Sequence, residues 1–483
     1  MTPPGTELGR VLIVIPTYNE RENVARMCAE LLGLDIGADL LFIDDGSPDG
    51  TGRVLDELAA TRPAVRVMHR AGKSGIGSAH QAGIAAAFEG GYRTLVTMDC
   101  DFTHSPSDIP RLMEAATRED CDVVVGSRYL VPGSLPGWNL LRRSLTVFGH
   151  FMTKTLLEMP EDASGALRLY RLDRIPREVF QRVQSPSYAF FFESLYLLSR
   201  NGFRIAEIPI VLPARTYGHS KMSWRDAFRS LRTLVGVFGQ SVRDPQRFAV
   251  ARPVPTIREE LRDPQGWDEY WSRSQRVTNA VYGAVAEVYR RMVIKRNLER
   301  VILREFRPGS RLLHAGCGGG QVDAYLQRVM RLTALDISPR ALELYARNNP
   351  GVREIRHGSI LELPFPDGSF DGVYNLGVVE HFEGEQLDTI FREMRRVLAP
   401  GGRLVVFWPH RRATSAFVLD SAHRVLRVAG SQATLHPAEV TRLRSRRFAE
   451  EMLTRAGLRL TRYEFGPRDF WVQAILVAER AAP

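Results

Sequence analysis

Short apolar runs alternate with amphipathic stretches along the first 125 residues. Val11–Ile15, Leu40–Ile43, Val65–His69, Leu95–Met98 and Val123–Val125 read as strands, with helical patterns such as Glu22–Leu32 and Arg53–Ala60 between them. That alternation predicts βαβ units and a mostly parallel sheet. A second series starts near Ser310, with Arg311–His314, Leu332–Asp336, Val373–Leu376 and Leu404–Phe407 as strands. The two series share a class of topology but no repeated sequence. Between them, Asp244–Gln265 carries prolines at 245, 253, 255 and 264 and no sustained period, which predicts a linker. The expected organisation is an α/β domain over 1–243, a linker over 244–265 and a second α/β domain over 266–483. A chain of 483 residues is too long for one core, which agrees.

Composition is that of an ordinary globular chain, 44% hydrophobic and 25% charged. No apolar run approaches the roughly 20 residues that a bilayer-spanning helix needs. Val11–Ile15 is too short, and flanked wrongly, for a signal peptide. The four cysteines, Cys28, Cys100, Cys121 and Cys317, show no metal-ligand spacing, so a reduced cytoplasmic protein is expected. The net charge of +10 is uneven: residues 1–141 hold 12 Lys and Arg against 19 Asp and Glu, and residues 142–250 hold 17 against 9. A uniformly basic nucleic-acid binder would not begin with an acidic third. An acidic region that holds a metal, followed by a basic region that receives an anion, fits this order.

Acidic clusters stand where strands should end. Asp44-Asp45-Gly46-Ser47 follows Leu40–Ile43, and Asp99-Cys100-Asp101 follows Leu95–Met98. Ligands of open α/β sheets bind beyond the carboxyl ends of strands. Two carboxylates converging there suit Mg²⁺ or Mn²⁺, with phosphate oxygens and waters completing the shell. A metal so held would neutralise a leaving diphosphate.

Four segments occur in order: Pro16-Thr17-Tyr18-Asn19-Glu20, Asp44 through Thr51, Asp99-Cys100-Asp101-Phe102-Thr103-His104, and Gly126-Ser127-Arg128-Tyr129. Together they resemble the family 2 glycosyltransferases of GT-A fold, in particular the dolichyl-phosphate mannose and polyprenyl-phosphate sugar synthases, over about residues 10–235. The resemblance implies that Pro16, Tyr18, Glu20, Asp44 and Asp45 hold the nucleotide, and that Asp99 and Asp101, with Thr103, hold the metal. It implies GDP-mannose or UDP-glucose as donor and a polyprenyl phosphate as acceptor. Trp138 through Arg142-Arg143, then Asp162-Ala163-Ser164-Gly165, Phe191–Glu193 and Arg215-x-x-Gly218-x-Ser220-Lys221 follow the same family order.

A phosphate acceptor is already a nucleophile, so the site needs positive charge and positioning more than a base. Arg128, Arg142 or Arg143, Arg215 and Lys221 are the candidates for that charge. Thr146, His150, Ala163 and Ala166 depart from the family pattern on the acceptor side. Leu140–Leu157 sets Leu141, Leu145, Phe148, Met152 and Leu156 at helical spacing, with Arg142, Arg143 and Lys154 among its polar positions. Such a helix either lies in a membrane interface or packs on its own sheet.

In the second half, Arg311–His314 runs into Ala315-Gly316-Cys317-Gly318-Gly319-Gly320, and glycines let a backbone turn sharply and approach a ligand. Asp336 ends the next strand. Gly358 through Phe365, Phe370-Asp371-Gly372-Val373, Val379-Glu380-His381-Phe382 and Leu398-Ala399-Pro400-Gly401-Gly402 complete the series. This order resembles class I S-adenosylmethionine-dependent methyltransferases over about residues 265–480. It implies a seven-stranded doubly wound sheet, with Gly316 and Gly318 beside the methionine, Asp336 on the ribose, and Ser359 and Ile360 flanking the adenine. His314 and Ser359 stand where the family carries acids. His381 is either a base on the methyl acceptor or a packing residue.

The expected protein is thus a bifunctional hexosyltransferase and methyltransferase, cytoplasmic and either free or peripheral on the membrane face, with the methyl acceptor and oligomeric state left open. The alternative expectation has a sugar hydroxyl as glycosyl acceptor, with Asp162 or Glu193 as base and the methyltransferase-like domain serving as a binding or scaffold module.

Overall fold

In Val11–Thr17 (β1) every residue except Pro16 is buried, the profile of a strand covered on both faces. The computed structural model that contains it describes residues 8–213, 224–250, 266–268, 271, 289–413, 440–469 and 471–480. The chain divides into two units, Met1–Val250 and Ala251–Pro483.

In the first unit β1 is followed by α1 (Arg21–Leu32), β2 (Ala38–Asp44), α2 (Thr51–Thr61), β3 (Val65–His69), α3 (Ile76–Glu89), β4 (Thr94–Thr97), α4 (Asp108–Arg118) and β5 (Val123–Ser127). Then come α5 (Leu140–Leu156), β6 (Arg168–Arg171), α6 (Arg177–Gln181), α7 (Ala189–Arg200), β7 (Ile205–Pro209) and α8 (Trp224–Arg243). The sheet order is β3-β2-β1-β4-β6-β5-β7. All neighbours are parallel except β6, which runs antiparallel to both β4 and β5.

Arg168 of β6 is fully buried and sends Nη1 to the Phe191 and Ser194 oxygens and Nη2 to the Ala163 oxygen. A buried cation whose two terminal nitrogens meet oxygens of the Ala163 loop and of α7 holds both against the sheet. The chain beyond α8 stays with this unit. Phe248 is buried, its carbonyl accepts from Asn201 Nδ2 at 2.8 Å, and Val250 N donates to Asn201 Oδ1 at 2.7 Å. Residues 251–265 of the expected linker lie outside the described residues.

Helix α3 crosses the sheet closely because its glycines allow it. A Cβ at Gly83 would fall 2.4 Å from Val14, and one at Gly77 would fall 2.6 Å from both Phe190 Cβ and the Ser187 carbonyl. His80, one turn on from Gly77, is fully buried, stacked on Phe190 and edge-on to Phe191.

The second unit contains α9 (Lys295–Glu305), β8 (Arg311–Ala315), α10 (Leu326–Val329), β9 (Arg331–Asp336), α11 (Pro339–Asn348), β10 (Glu354–His357) and β11 (Phe370–Leu376). It continues through α12 (Glu385–Val397), β12 (Leu398–Pro409), α13 (Arg446–Arg455), β13 (Leu458–Glu464) and β14 (Gln473–Arg480). Its sheet order is β10-β9-β8-β11-β12-β14-β13, parallel through β12, with β14 antiparallel to both neighbours. This is the seven-stranded doubly wound sheet that the resemblance implies. No described helix is long and apolar enough to cross a membrane. All four cysteines are buried and unbridged.

Burial drives the His80 pKa down to about 3, with the charges of Arg168 and His104 adding to the effect. An unfolded imidazole takes its proton near pH 6.5, so below that pH the unfolded state gains a proton that the folded state refuses, and stability falls. By pH 5 this one residue takes about 2 kcal/mol from the folded state. His80→Leu is therefore expected to melt at least as high as wild type near pH 7.5 and to lose less on acidification. Melting scans of the full chain from pH 7.5 to 5 check this, and an unchanged acid slope would refute it.

Candidate active sites

The carboxyl ends of β2, β1 and β4 lie side by side, and they bring together most of the donor and metal residues expected from sequence. Two loops are stitched to each other there. Asp45 N donates to the Thr17 carbonyl at 3.1 Å, Asn19 N to Ser47 Oγ at 2.9 Å, and Glu20 N to Thr51 Oγ1 at 2.9 Å. Asn19 holds a left-handed φ of 54°, an unusual conformation that these bonds support. Pro16 and Tyr18 flank the first of these contacts, and the Glu20 carboxylate accepts from Asn23 Nδ2. Asp44 is buried and accepts from Ser47 N.

Asp45 forms an ion pair with Arg70 at 3.0 Å. Burial raises its pKa, with Arg70 and Lys73 among the influences pulling the other way. The Lys73 ammonium stands 4.9 Å over the Tyr18 ring. Arg70 and Lys73 thus bring positive charge to the loops after β1 and β2, and neither was singled out from sequence. Their place just beyond β3, next to β2, was the available signal.

Asp99 and Asp101 follow β4. Asp101 is buried, and its Oδ1 accepts from Thr103 N at 3.1 Å and Oγ1 at 2.6 Å. Phe102 between them has φ 57°, which turns the loop tightly enough for that contact, and Arg26 lies over its ring at 4.4 Å. His104 is buried with Nδ1 3.7 Å from Asp99 Oδ2. Burial pushes its pKa down to about 4 despite the nearby Asp101 charge. Among the described residues no three His, Cys, Asp or Glu side chains cluster as a metal cage. Asp99, Asp101 and the Thr103 hydroxyl are hard oxygen donors of the kind that Mg²⁺ or Mn²⁺ takes.

On the acceptor side Arg128 is buried. Its Nε donates to Asp162 Oδ2 at 2.7 Å and its backbone N to the same oxygen at 3.2 Å. Burial alone would raise the Asp162 pKa, but Arg128 and hydrogen bonds from Arg128 and Ser164 outweigh it and hold Asp162 low. The other oxygen, Oδ1, accepts from Ser164 N and Oγ. Arg128 also feels the Asp99 charge. Glu193, the other carboxylate considered as a base, accepts from Gln184 N and Ser185 N at 2.9 Å each.

Glu207 of β7, absent from the sequence expectations, accepts from Asp162 N at 2.8 Å, and burial pushes its pKa up to about 6. Tyr129 stacks on His150 at 3.9 Å, so this departure from the family pattern packs against the motif itself. Arg142 stacks on Trp138 with its guanidinium 3.6 Å from the ring centroid, and with Arg143 it lies in the first turn of α5, capped by Asn139. Arg215 and Lys221 lie outside the described residues.

In the second unit the loop after β8 turns through Gly316, Gly318 and Gly320, all at positive φ. A Cβ would fall 2.6 Å from Val378 at Gly316, 2.6 Å from Trp271 at Gly318 and 2.3 Å from Tyr345 at Gly320. Asp336 joins the next strand to this loop, accepting from Gly318 N at 2.8 Å and from Ser338 N at 2.9 Å. Ser359 Oγ accepts from Leu361 N, and Ile360 beside it is buried. His381 stands edge-on to Trp267 at 4.9 Å. Asp268, next to Trp267, accepts from Ser338 Oγ and Arg340 N at the start of α11, and Trp271 lies against Gly318 of the glycine loop. A glycine cradle beside a buried carboxylate fits an adenosylmethionine.

Comparison with known proteins agrees with both halves. Residues 12–175 match the model of the glycosyl transferase family 2, and residues 313–406 match that of a methyltransferase domain. An undecaprenyl-phosphate mannosyltransferase of Micrococcus luteus is 35% identical over 243 residues, which are 50% of this chain and 95% of that protein. A polyprenol monophosphomannose synthase of Mycolicibacterium smegmatis is 37% identical over 216 residues, 44% of this chain and 81% of that protein. Among solved structures, a Burkholderia thailandensis 1,6-didemethyltoxoflavin-N1-methyltransferase overlaps 48% of this chain and 94% of its own at 19% identity, with a TM-score of 0.33. The chain belongs to glycosyl transferase family 2 through its N-terminal half and joins to it a methyltransferase domain.

Proposed function

We propose that the N-terminal half transfers a hexose, mannose from GDP-mannose in the first instance, to a polyprenyl phosphate at a membrane surface, and that the C-terminal half methylates a second substrate from S-adenosylmethionine. The observation that carries the first part is the convergence of the Pro16–Glu20, Asp44–Thr51 and Asp99–His104 loops on one sheet edge. The names borne by the two bacterial relatives point to the same acceptor.

Pro16, Tyr18, Glu20, Asp44 and Asp45 cradle the nucleotide, with Arg70 and Lys73 beside them to meet its phosphates. Asp99, Asp101 and Thr103 would hold a divalent ion, which supplies charge to the departing diphosphate. The acceptor phosphate needs cations rather than a base. Because Asp162 already meets Arg128, Arg142 and Arg143 at the start of α5 are better placed than Arg128 to receive it, with Arg215 and Lys221 as further candidates. A sugar-hydroxyl acceptor would need a base, and the hydrogen bonds at Asp162 and Glu193 leave both poorly suited to that task.

Leu145, Val147, Phe148 and Phe151 of α5 are exposed, as are Phe228, Leu231 and Val235 of the adjoining α8. Met152 and Leu156 pack on the core. An apolar face of this size, flanked by Arg142, Arg143, Lys154, Arg229 and Arg232, suits an anionic lipid interface. In the second half Gly316, Gly318, Asp336, Ser359 and Ile360 would hold adenosylmethionine, and proximity alone can drive methyl transfer. His381, set against Trp267, serves packing rather than proton transfer in this reading.

Purified full-length protein incubated with GDP-mannose or UDP-glucose, a short polyprenyl phosphate and Mn²⁺ tests the sugar transfer. Asp101→Ala should lower the rate at least about 100-fold. Activity with neither donor, or full activity of the variant, would sink the proposal. Phe148→Asp together with Phe151→Asp should weaken binding to anionic vesicles, read by sedimentation, by about a hundredfold or more, since each buried phenyl contributes about 2 kcal/mol. Unchanged sedimentation would rule out this face as the lipid contact.

A further inference from the structure

We propose that Tyr129 is a positioning residue for the acceptor phosphate: by clamping Thr146 and His150 it fixes the rotation of α5 and so holds Arg142 on the side of that helix turned to the end of β5. The inference rests on the polyprenyl-phosphate reading above.

Tyr129 follows Arg128 directly, just beyond β5, and the Arg128 guanidinium carbon lies 5.9 Å from the centroid of its ring. On α5 it meets two residues one turn apart. Its hydroxyl donates to the Thr146 carbonyl at 3.1 Å, and its ring stacks on the His150 imidazole with centroids 3.9 Å apart and planes 14° from parallel. Burial first, and then the Asp162 charge, push the phenol pKa up, so the hydroxyl remains a protonated donor. A carbonyl oxygen has two lone pairs, and that of Thr146 can serve this bond as well as its own helix. Thr146 and His150 are also the two positions of α5 that depart from the family pattern, and they share this one partner.

Residues four apart share a helix face, so Arg142, Thr146 and His150 form one stripe along α5. All three are half-buried, whereas residues 143–145 and 147–149 are exposed. Phe148, two positions from both Thr146 and His150, falls on the opposite face. The last turns of α5 are seated on the core by Met152 and Leu156. Its first turn is seated by Trp138, which stacks on Arg142 and packs against the other apolar cluster. Tyr129 fastens the turns between. A roll of about 100°, the angle between successive residues, would carry Arg142 off the inner side. A stack and a hydrogen bond to consecutive turns resist both roll and slide, because either motion breaks them. Tyr129 is therefore the joint between the lipid-facing helix and the strand end where Arg128 meets Asp162. It acts through Arg142 and needs no contact with the substrate.

Initial rates of the full chain with saturating donor and varied short polyprenyl phosphate test this, beside isothermal titration of the donor's own diphosphate, GDP or UDP. Tyr129→Phe keeps the ring and removes only the hydroxyl. Its acceptor KM should rise about fivefold while the nucleotide Kd stays at the wild-type value. His150→Ala should raise the same KM about fivefold or more, and His150→Phe, which restores a stacked ring, should recover most of that loss. In an Arg142→Ala background Tyr129→Phe should add nothing further, because the residue it positions is gone. An unchanged acceptor KM in Tyr129→Phe overturns the assignment. So does a nucleotide Kd that rises with it, or effects of Tyr129→Phe and Arg142→Ala that multiply. If Tyr129→Phe does not fold, the His150 pair decides: recovery in His150→Phe supports the clamp, and equal KM in both variants overturns it. Wild type that transfers no sugar with either donor overturns the acceptor reading itself, a failure seen without any variant.

Discussion

A carboxylate removed from water must find donors for its oxygens or it destabilises the fold by several kcal/mol. Asp162 meets that demand with the Arg128 guanidinium and backbone, and with the backbone and hydroxyl of Ser164. Its own N–H goes to Glu207. The bonds tie the end of β5, the loop before β6 and strand β7 to one point. Through the same loop Arg168 reaches the Ala163 carbonyl, so the acceptor side is anchored by one buried anion and one buried cation that satisfy separate partners. Arg128 is consequently an organiser whose charge is already met by Asp162.

The second half uses the same device with different chemistry. Asp323 is buried among two phenols and an imidazole rather than beside a guanidinium. It joins the glycine loop, β11 and α11. In both halves a ligand-facing loop after a parallel strand is held by a carboxylate that does not itself belong to that strand. Open sheets leave those loops with unmatched backbone groups, and a remote acid is an efficient way to fix several donors at once.

The exposed face of α5 and α8 shows the opposite economy. Most of the large apolar side chains of the first unit are packed into two clusters, one on each face of the sheet. Leaving Phe148, Phe151 and Phe228 in water costs stability with no return inside the protein. The stacked Trp138–Arg142 pair at the head of α5 sits where such a face would meet lipid phosphates.

The sequence by itself determined the two α/β halves, the parallel strands of their centres and the loops that carry the donor, metal and glycine motifs. Those strands are apolar on both faces, and their loops must sit at the carboxyl edge, so periodicity and motif order suffice. Strand β6 was not legible because Arg168, Tyr170 and Arg171 break the apolar pattern, and only tertiary contacts let them be buried. Strands β13 and β14 pair antiparallel at an edge, where alternation is weak. Tertiary structure alone decided that Arg128 is paired, that Arg70 and Lys73 reach the loops after β1 and β2, and that His314 has Asp323 behind it. Each of those facts depends on a partner at least nine positions away, or on another strand, and a one-dimensional pattern carries no distance between them.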